Sequence, residues 1–173
     1  VKDSKRAAEI IRKIRVYLKK SLHKPVPLDL NTAIREILPL IRSNALIKNV
    51  SLNIELAPDL PPARGDRVQL QQVIVNLALN GFEAMTGEGE KELTIQTTGN
   101  GKTVTVSIED TGTGITVDNP EALFKPFFTT KNEGMGMGLA VNKSIIEAHG
   151  GTLKVENNRG PGGTFSFILP VYG

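Results

Sequence analysis

The sequence predicts an α+β domain that follows a separate amphipathic helix. Segments with apolar residues three and four positions apart, typical of helices, alternate with segments in which every second residue is apolar, typical of strands. Loops rich in Gly and Pro separate these segments. The chain has 173 residues, 39% of them apolar, which is enough for the core of one ordinary domain.

The first segment, residues 1–24, is predicted to be an amphipathic helix. Its apolar residues lie three and four positions apart at Ala7, Ile10, Ile11, Ile14, Tyr17, Leu18 and Leu22. Such a narrow stripe suits pairing with another helix, for example in a dimer, but a terminal helix docked on its own domain also fits. Because Pro25 and Pro27 end the helix, we divide the chain into residues 1–24 and a domain at 25–173.

Positive charge is concentrated in the same segment. Residues 1–24 contain nine Lys or Arg and two acidic residues, whereas the remainder contains 12 basic and 16 acidic residues. The domain itself is therefore mildly acidic, and we expect no nucleic-acid binding. The chain has no cysteine, which excludes disulfides, thiolate metal sites and thiol nucleophiles. No stretch resembles a signal peptide or a membrane span, so we expect a soluble chain.

The first half of the domain predicts two helices, each preceded by extended chain or a loop. The ranges are extended chain at 27–30, a helix to about Ile47, a strand at 51–56, a loop at 58–66 and a helix to about Met85. Asn31 or Thr32 can cap the first helix and Asp66 the second, because their side chains accept hydrogen bonds from first-turn amides. The apolar positions of the second helix are Val68, Leu70, Val73, Ile74, Leu77 and Ala78.

The second half predicts a hairpin, a long loop, a helix and two closing strands. The ranges are strands at 92–98 and 103–110, a loop at 111–137, a helix at 138–148 and strands near 152–157 and 163–169. The hairpin turn contains GKT at 101–103, which is not a P-loop because Gln96 stands where that motif needs Gly. A loop as long as 111–137 is usually functional in a compact domain, often as a lid.

Two asparagines on the second predicted helix are candidates for ligand binding. Asn76 and Asn80 are one turn apart and share a face. On an apolar helix, an amide without a hydrogen-bond partner is unfavourable. The pair either caps a neighbouring loop or offers amide oxygens to a hard cation such as Mg²⁺, which prefers oxygen ligands beside phosphates.

Two glycine-containing stretches could bind the base and the phosphates of a nucleotide. Asp110 ends a strand in EDTGTGI, where it is either a turn residue or, if buried, an acceptor for the amine of a base. Gly112 and Gly114 would let a flat base such as adenine lie against the backbone. The stretch GMGMGLAV at 134–141 is either a flexible loop or a run of backbone amides aimed at a phosphate where a helix begins.

In order and spacing, four stretches resemble the motifs of the GHKL superfamily of ATP-binding domains, and most closely the catalytic domain of sensor histidine kinases. They are NLALNGFEA as the N box, DTGTGI as the first glycine box, LFKPFFTTK as the phenylalanine box and GMGMGLAVNKSIIEAHGG as the second glycine box. The match covers roughly residues 26–170. It implies the Bergerat fold, a two-layer α/β sandwich whose mixed, mostly antiparallel sheet packs on about three helices.

The resemblance implies a site for ATP or ADP with Mg²⁺. Asp110 would bind the adenine amine, Asn80 would ligate Mg²⁺ and Asn76 would line the same pocket. The residues expected to shape base and phosphate contacts are Gly112, Gly114, Gly134, Gly136, Gly138 and Leu139. Lys131 is a better candidate than Lys125 for a phosphate-binding cation. Three phenylalanines would anchor the lid on the core: Phe124, Phe127 and Phe128.

Two positions depart from the family pattern. Thr111 stands where Asn usually follows the Asp, and Gly81 stands where Ala commonly follows the second Asn. The first change alters local hydrogen bonds, and the second weakens the helix locally. Neither removes a predicted ligand.

Asn76 indicates which branch of the superfamily the chain resembles. The ATP-hydrolysing relatives carry Glu at this position, and a carboxylate can activate water as a general base whereas Asn cannot. The resemblance therefore implies transfer of the γ-phosphoryl group to a His on a separate hairpin in two-component signalling. Alternatives are a GHKL protein-serine kinase and a nucleotide-sensing module without transfer activity.

The expected partners follow from the same resemblance. Residues 1–24 resemble the second helix of the dimerisation and phosphotransfer hairpin, so the full-length protein would be a homodimer that reaches a response regulator indirectly. It would be cytoplasmic, alone or as the cytoplasmic part of a membrane-bound sensor. Neither histidine fits a phosphoacceptor, because His23 lacks the usual acidic neighbour and His149 closes a helix, where it can contact carbonyls. We therefore expect a fragment with no catalytic residue of its own.

Overall fold

The computed structural model describes residues 26–87, 89–128 and 138–173. Its elements are β1 (Val26–Leu28), α1 (Leu30–Lys48), β2 (Ser51–Leu56), β3 (Ala63–Gly65), α2 (Arg67–Ala84), β4 (Glu92–Gly99), β5 (Thr103–Asp110), a 3₁₀ helix (Pro120–Phe124), α3 (Gly138–Ala148), β6 (Thr152–Asn157) and β7 (Gly163–Pro170). The helix predicted at 1–24 lies outside the described residues.

Five strands form the main sheet, in the order β2-β4-β5-β7-β6. Only β2 and β4 pair in parallel, and the other three neighbouring pairs are antiparallel. Strands β1 and β3 form a separate antiparallel pair. The mixed, mostly antiparallel sheet and the three α-helices found among the described residues confirm the predicted two-layer α/β sandwich.

Alternation along the central strands shows which face of the sheet is covered. In β5 and β7 every second residue is buried, including Val106 and Ile108 in β5 and Phe165 and Phe167 in β7. An antiparallel sheet with one face against a core has this pattern. The helices supply the opposite side of the core, with Ile34 and Ile41 among the buried residues of α1, and with Leu70, Ile74 and Leu77 among those of α2.

The predicted boundaries of α2 are confirmed, and those of α1 need one correction. Asp66 caps α2, its carboxylate accepting from Gln69 N at 2.9 Å. The N-cap of α1 is Asp29, not Asn31 or Thr32, and it accepts from Thr32 N at 3.1 Å. That hydrogen bond is the main reason that the pKa of Asp29 lies below its usual range.

Asn31 is buried and takes part in a closed ring of hydrogen bonds, which we call the Asn31 cluster (Asn31, Ala57 and Thr97). Asn31 Nδ2 donates to Ala57 O at 2.7 Å, Ala57 N donates to Thr97 Oγ1 at 2.9 Å, and Thr97 Oγ1 donates to Asn31 Oδ1 at 2.9 Å. The ring joins α1, the end of β2 and β4. Each of these buried polar groups has a partner, as a stable core requires.

Two further predictions in the first half of the domain are corrected. The loop predicted at 58–66 contains the short strand β3, which pairs with β1. Val68 does not join the apolar face of α2, because it is 71% exposed in the first turn. On the same side of the domain, Arg67 forms an ion pair with Glu36 and so links α2 to α1.

His149 links the end of α3 to the start of α2. Its Nδ1 lies 2.7 Å from Ile145 O, and Asp66 N donates to its Nε2 at 3.0 Å. Nε2 thus accepts a hydrogen bond from the start of α2, while Nδ1 faces the carbonyl of Ile145 in α3. The contact with a helix-end carbonyl agrees with the structural role expected for His149.

Candidate functional site

Asp110 is the last residue of β5, and its carboxylate is buried, with 5% of the residue exposed. Gly112 N donates to Asp110 Oδ1 at 2.8 Å. Burial raises the pKa of Asp110 above its usual value, hydrogen bonds from Gly112 and Gly163 lower it, and the nearby Glu109 charge raises it slightly. The net shift of the pKa is upward, because burial disfavours the charged carboxylate more than these hydrogen bonds favour it.

The loop after Asp110 depends on glycine at both predicted positions. A Cβ on Gly112 would overlap the carbonyl group of Ala84, and Gly114 has φ of 73°, a left-handed conformation. Thr113 N donates to that same Ala84 carbonyl at 3.2 Å. The glycine loop therefore lies directly against the C-terminal end of α2.

Thr111 replaces the usual Asn of the motif and forms its own set of contacts. Its hydroxyl accepts from Glu92 N at 3.0 Å, and its backbone N donates to Glu92 O at 3.2 Å. Thr111 therefore attaches the loop to the start of β4.

Two asparagines that the sequence analysis missed support this loop, one at the end of β6 and one in the turn that follows. Asn157 Oδ1 accepts from Ile115 N at 2.6 Å, and Asn157 Nδ2 donates to Ile115 O at 3.1 Å. Asn158 Nδ2 donates to Asp110 O at 2.9 Å, while Asn158 Oδ1 accepts from Thr164 Oγ1 at 2.6 Å. The Asn doublet before a Gly-rich turn was the only local signal for this role.

Asn76 and Asn80 are both half-buried, one turn apart on α2. Asn76 Nδ2 donates to Asn142 Oδ1 on α3 at 3.2 Å. The neighbour of Asn80, Gly81, lies close to Asp110, because a Cβ on Gly81 would be 3.5 Å from Asp110 Cβ. Helix α2 thus brings the two amides to the same part of the molecule as the buried carboxylate.

Of the predicted phosphate-binding glycines, Gly138 is described and begins α3, followed by Leu139. A Cβ on Gly138 would meet no heavy atom of the described residues within 4 Å. Backbone amides at the start of a helix favour anions. Lys131, Gly134 and Gly136 lie outside the described residues, so their predicted roles stay predictions.

A family model described as histidine kinase-, DNA gyrase B- and HSP90-like ATPase matches residues 65–173. This range includes α2, the Asp110 loop and α3. The chain belongs to this family. Its members' common ATPase domain implies ATP binding, as the four motifs predicted.

Relatives and solved structures indicate which branch of this family the chain belongs to. The chain is 36% identical over 175 residues to the sensor histidine kinase TmoS of Ectopseudomonas mendocina, covering 99% of this chain and 18% of the relative. It is 40% identical over 167 residues to the sensor protein FixL of Bradyrhizobium diazoefficiens, covering 96% of this chain and 33% of the relative. The chain thus spans a third or less of these relatives.

The solved catalytic domain of histidine kinase ThkA, in a nucleotide-free form, superposes with a TM-score of 0.77 at 33% identity. The match covers 86% of this chain and 99% of that domain. Together with the sequence relatives, it identifies the chain as a catalytic domain of the sensor histidine kinase type, which confirms the predicted branch.

The phenylalanine box of this family member only partly behaves as predicted. Phe124 is buried, with its ring edge-on to Phe165 at 6.5 Å and Lys143 Nζ 5.3 Å from its ring centroid. Phe128 is half-buried, but Phe127 is 73% exposed with φ of 65°. Phe127 therefore does not anchor the segment on the core, and Phe124 is its main attachment. Lys125 is exposed.

The donor groups on α2 fit a metal ion that arrives with phosphates. Among the described residues, no group of three or more His, Cys, Asp or Glu side chains could hold a metal. Mg²⁺ in nucleotide sites commonly takes only one or two protein oxygen ligands and completes its shell with phosphates and water. The amide oxygens of Asn76 and Asn80 suit that role.

In the described part of the chain, no helix is long and apolar enough to cross a membrane.

Proposed function

We propose that this chain binds Mg-ATP and transfers the γ-phosphoryl group to a histidine on a separate helical hairpin, in two-component signal transduction. The observation that supports transfer over hydrolysis is the pair of amides joined between α2 and α3. Asn76 occupies the position of a general base, and it donates to Asn142 rather than presenting a carboxylate. An amide does not take a proton from water at neutral pH, so the γ-phosphoryl group of bound ATP is transferred to a nucleophile other than water.

Each part of the nucleotide has a proposed partner in the chain. The Asp110 carboxylate accepts a hydrogen bond from the adenine amine, and Gly112 and Gly114 allow the base to lie on the backbone. Asn80 ligates Mg²⁺, and Asn76 lies beside it. The phosphates contact the start of α3 at Gly138 and Leu139, together with Gly134, Gly136 and Lys131. Bound Mg²⁺ supplies charge neutralisation on the phosphate oxygens.

The wider assembly is also a proposal. We infer that residues 1–24 are the second helix of a dimerisation and phosphotransfer hairpin, that the full-length protein is a cytoplasmic or membrane-anchored homodimer and that a response regulator takes the phosphoryl group from the hairpin. A solved complex of histidine kinase ThkA with the response regulator protein TrrA supports this arrangement. It matches 98% of this chain at 27% identity with a TM-score of 0.77.

A reconstitution experiment tests the proposed reaction. The 173-residue chain is mixed with a His-containing helical hairpin from a sensor histidine kinase and with γ-labelled ATP, with and without Mg²⁺. We expect Mg²⁺-dependent label on His, which is lost in acid, and none with the Asp110→Asn variant. Acid-stable label on Ser would indicate a protein-serine kinase instead. Nucleotide binding without label on any protein would indicate a sensing module.

A further inference from the structure

Asn142 is a fully buried amide on α3 that belongs to none of the predicted nucleotide ligands. It is 0% exposed, in a helix whose other buried residues are Ala140, Val141, Ile145 and Ile146. Its Oδ1 accepts from Asn76 Nδ2 at 3.2 Å. Its own Nδ2 has no hydrogen-bond partner within the described part of the chain.

A buried donor without a partner destabilises the folded chain. Leucine has almost the same shape as asparagine and would fill this apolar position without leaving a donor unsatisfied. Packing therefore does not explain why the position holds an amide. Within the described part of the chain, the contact of Asn142 with Asn76 is the observation that explains the amide.

That contact determines which end of the Asn76 amide is available to a ligand. The Asn76 side chain carries an NH₂ group, which donates, and a carbonyl oxygen, which accepts. Asn142 Oδ1 takes the NH₂ group. The carbonyl oxygen is left as the end that can face a ligand, on the side of α2 that also carries Asn80 one turn later. Cations are held by oxygen, and an NH₂ group in the same place would repel them.

We propose that Asn142 is a positioning residue that keeps the Asn76 carbonyl oxygen turned toward the metal end of the nucleotide site. It acts by accepting the hydrogen bond from Asn76 Nδ2. This inference rests on the proposed function, in which α2 holds Mg²⁺ through Asn80. Asn142, a buried residue on α3, would thus influence metal binding although none of its own atoms contacts the metal.

The test compares folding with Mg²⁺-dependent binding in Asn142→Leu, using the whole 173-residue chain. We expect the urea midpoint of unfolding to match or exceed that of the original chain, because the unsatisfied donor is removed and Asn76, which loses its acceptor, is only half-buried and can bond to water. ADP affinity measured by calorimetry in Mg²⁺ should fall about tenfold, the loss typical of a residue that orients a metal ligand. ADP affinity in EDTA should change less than about twofold, because no metal is then held.

Two further variants test whether the effect passes through Asn76. Asn142→Asp keeps an acceptor for Asn76 Nδ2, so Mg²⁺ should still strengthen ADP binding even though the buried carboxylate lowers the urea midpoint. In an Asn76→Ala background, Asn142→Leu should cause no additional loss of Mg²⁺-dependent affinity, because the group it positions is gone. The Asp variant also keeps the proposal testable if the Leu variant does not fold.

The outcomes separate this inference from the proposed function. If Asn142→Leu lowers the urea midpoint and binds Mg-ADP normally, Asn142 is a structural residue and the inference is wrong. An equal loss of affinity with and without Mg²⁺ would also overturn it, because the effect would not concern the metal. If the original chain binds no nucleotide, the proposed function itself fails.

Discussion

Two sets of buried polar residues in this domain, the Asn31 cluster and the proposed nucleotide site, differ in how completely their hydrogen bonds are satisfied. In the Asn31 cluster, three residues donate to and accept from one another in a closed ring. In the proposed site, Asp110 has a raised pKa because burial outweighs its hydrogen bonds, and Asn142 Nδ2 lacks a partner within the described residues. Asn31 and Asn142 are both buried asparagines on helices, yet only Asn31 has both ends of its amide occupied.

The difference shows how the same chemistry serves stability in one place and binding in another. A polar group that is satisfied within the chain stabilises the fold and has nothing to offer a ligand. A polar group that is buried but incompletely bonded destabilises the empty domain and gains most when a ligand arrives. Mutations at the two places should therefore have opposite effects on folding and on nucleotide binding.

The largest expected effect is on folding, at the Asn31 cluster. Asn31→Leu leaves Ala57 O and the Thr97 hydroxyl buried without their partner, so we expect the free energy of unfolding to fall by about 3 kcal/mol. Mg-ADP affinity of the folded variant should be unchanged. Urea unfolding and calorimetry measure the two quantities. Because Asn142→Leu is the same substitution on another buried helix position, it is the matched control.

Similar behaviour of Asn31→Leu and Asn142→Leu would contradict the expected difference between the two positions. Equal losses of unfolding free energy would mean that partner satisfaction does not distinguish the two positions. Equal losses of nucleotide affinity would mean that the Asn31 cluster belongs to the binding site.

Asp110→Asn should cause the largest loss of binding. A charged acceptor for the adenine amine is replaced by a neutral amide that still fits the same space, so ATP affinity should fall about a hundredfold. Calorimetry with ATP measures the loss, and far-UV circular dichroism verifies the fold. Glu109→Gln, which removes the adjacent exposed carboxylate, is the control and should bind ATP nearly normally.

The raised pKa of Asp110 adds a pH dependence that sharpens this result. A raised pKa means that the carboxyl group contributes stability below the ordinary value of 3.8, and that this contribution is lost as the pH rises through the folded-state pKa. Asp110→Asn lacks this loss. The free energy of unfolding of the variant, relative to the original chain, should therefore increase from about pH 4 upward and then level off. A pH-independent difference would show that burial does not dominate at Asp110.

The same contrast explains which features were predictable from sequence. The cap of α2 and the hydrogen bond from Gly112 N to Asp110 each join residues within three positions of one another, so local patterns were sufficient for them. The cap of α1 was misassigned because Asp29, Asn31 and Thr32 are all chemically able to cap. Asn31 is instead drawn into the core by Thr97, 66 positions away. Distant partners decide such cases.

The residues that sequence reasoning missed in the site have distant partners as well. Asn142 bonds to Asn76 across 66 positions, and Asn157 bonds to Ile115 across 42. Nothing in the local pattern of α3 marks the first contact, and the Asn doublet at the end of β6 was the only local signal for the second. The motifs identified the residues that we propose to face the nucleotide, whereas the residues behind them could be found only from the fold.

A smaller effect is expected at Gly81, where α2 packs against the sheet beside Asp110. A Cβ on Gly81 would lie 2.5 Å from Leu93 Cδ1, and Leu93 is fully buried. Overpacking should outweigh the improved helix propensity of alanine, so we expect Gly81→Ala to lower the free energy of unfolding by about 1 kcal/mol. Leu93→Val in the same chain should recover part of that loss, because it removes the methyl group that collides. Additive losses in the double variant would show that Gly81 is not required by this contact.

The smallest effect is expected at a partly exposed contact between α3 and the 3₁₀ helix. Its hydrogen bonding is intermediate between the fully satisfied Asn31 cluster and the incompletely bonded Asn142. Lys143 on α3 lies over the Phe124 ring at 5.3 Å and pairs with Glu121 at 3.3 Å, so it fastens the 3₁₀ helix to α3. Lys143→Met keeps most of the apolar contact and removes the charge, and we expect a loss of about 0.5 kcal/mol in the free energy of unfolding. Glu121→Gln separates the two contributions: it should have a smaller effect that disappears in high salt, because the ion pair is screened while the contact with the ring is not. If Glu121→Gln matched Lys143→Met at low salt and both effects vanished at high salt, the attachment would be an ion pair alone, and Phe124 would hold the segment by burial without help from the cation.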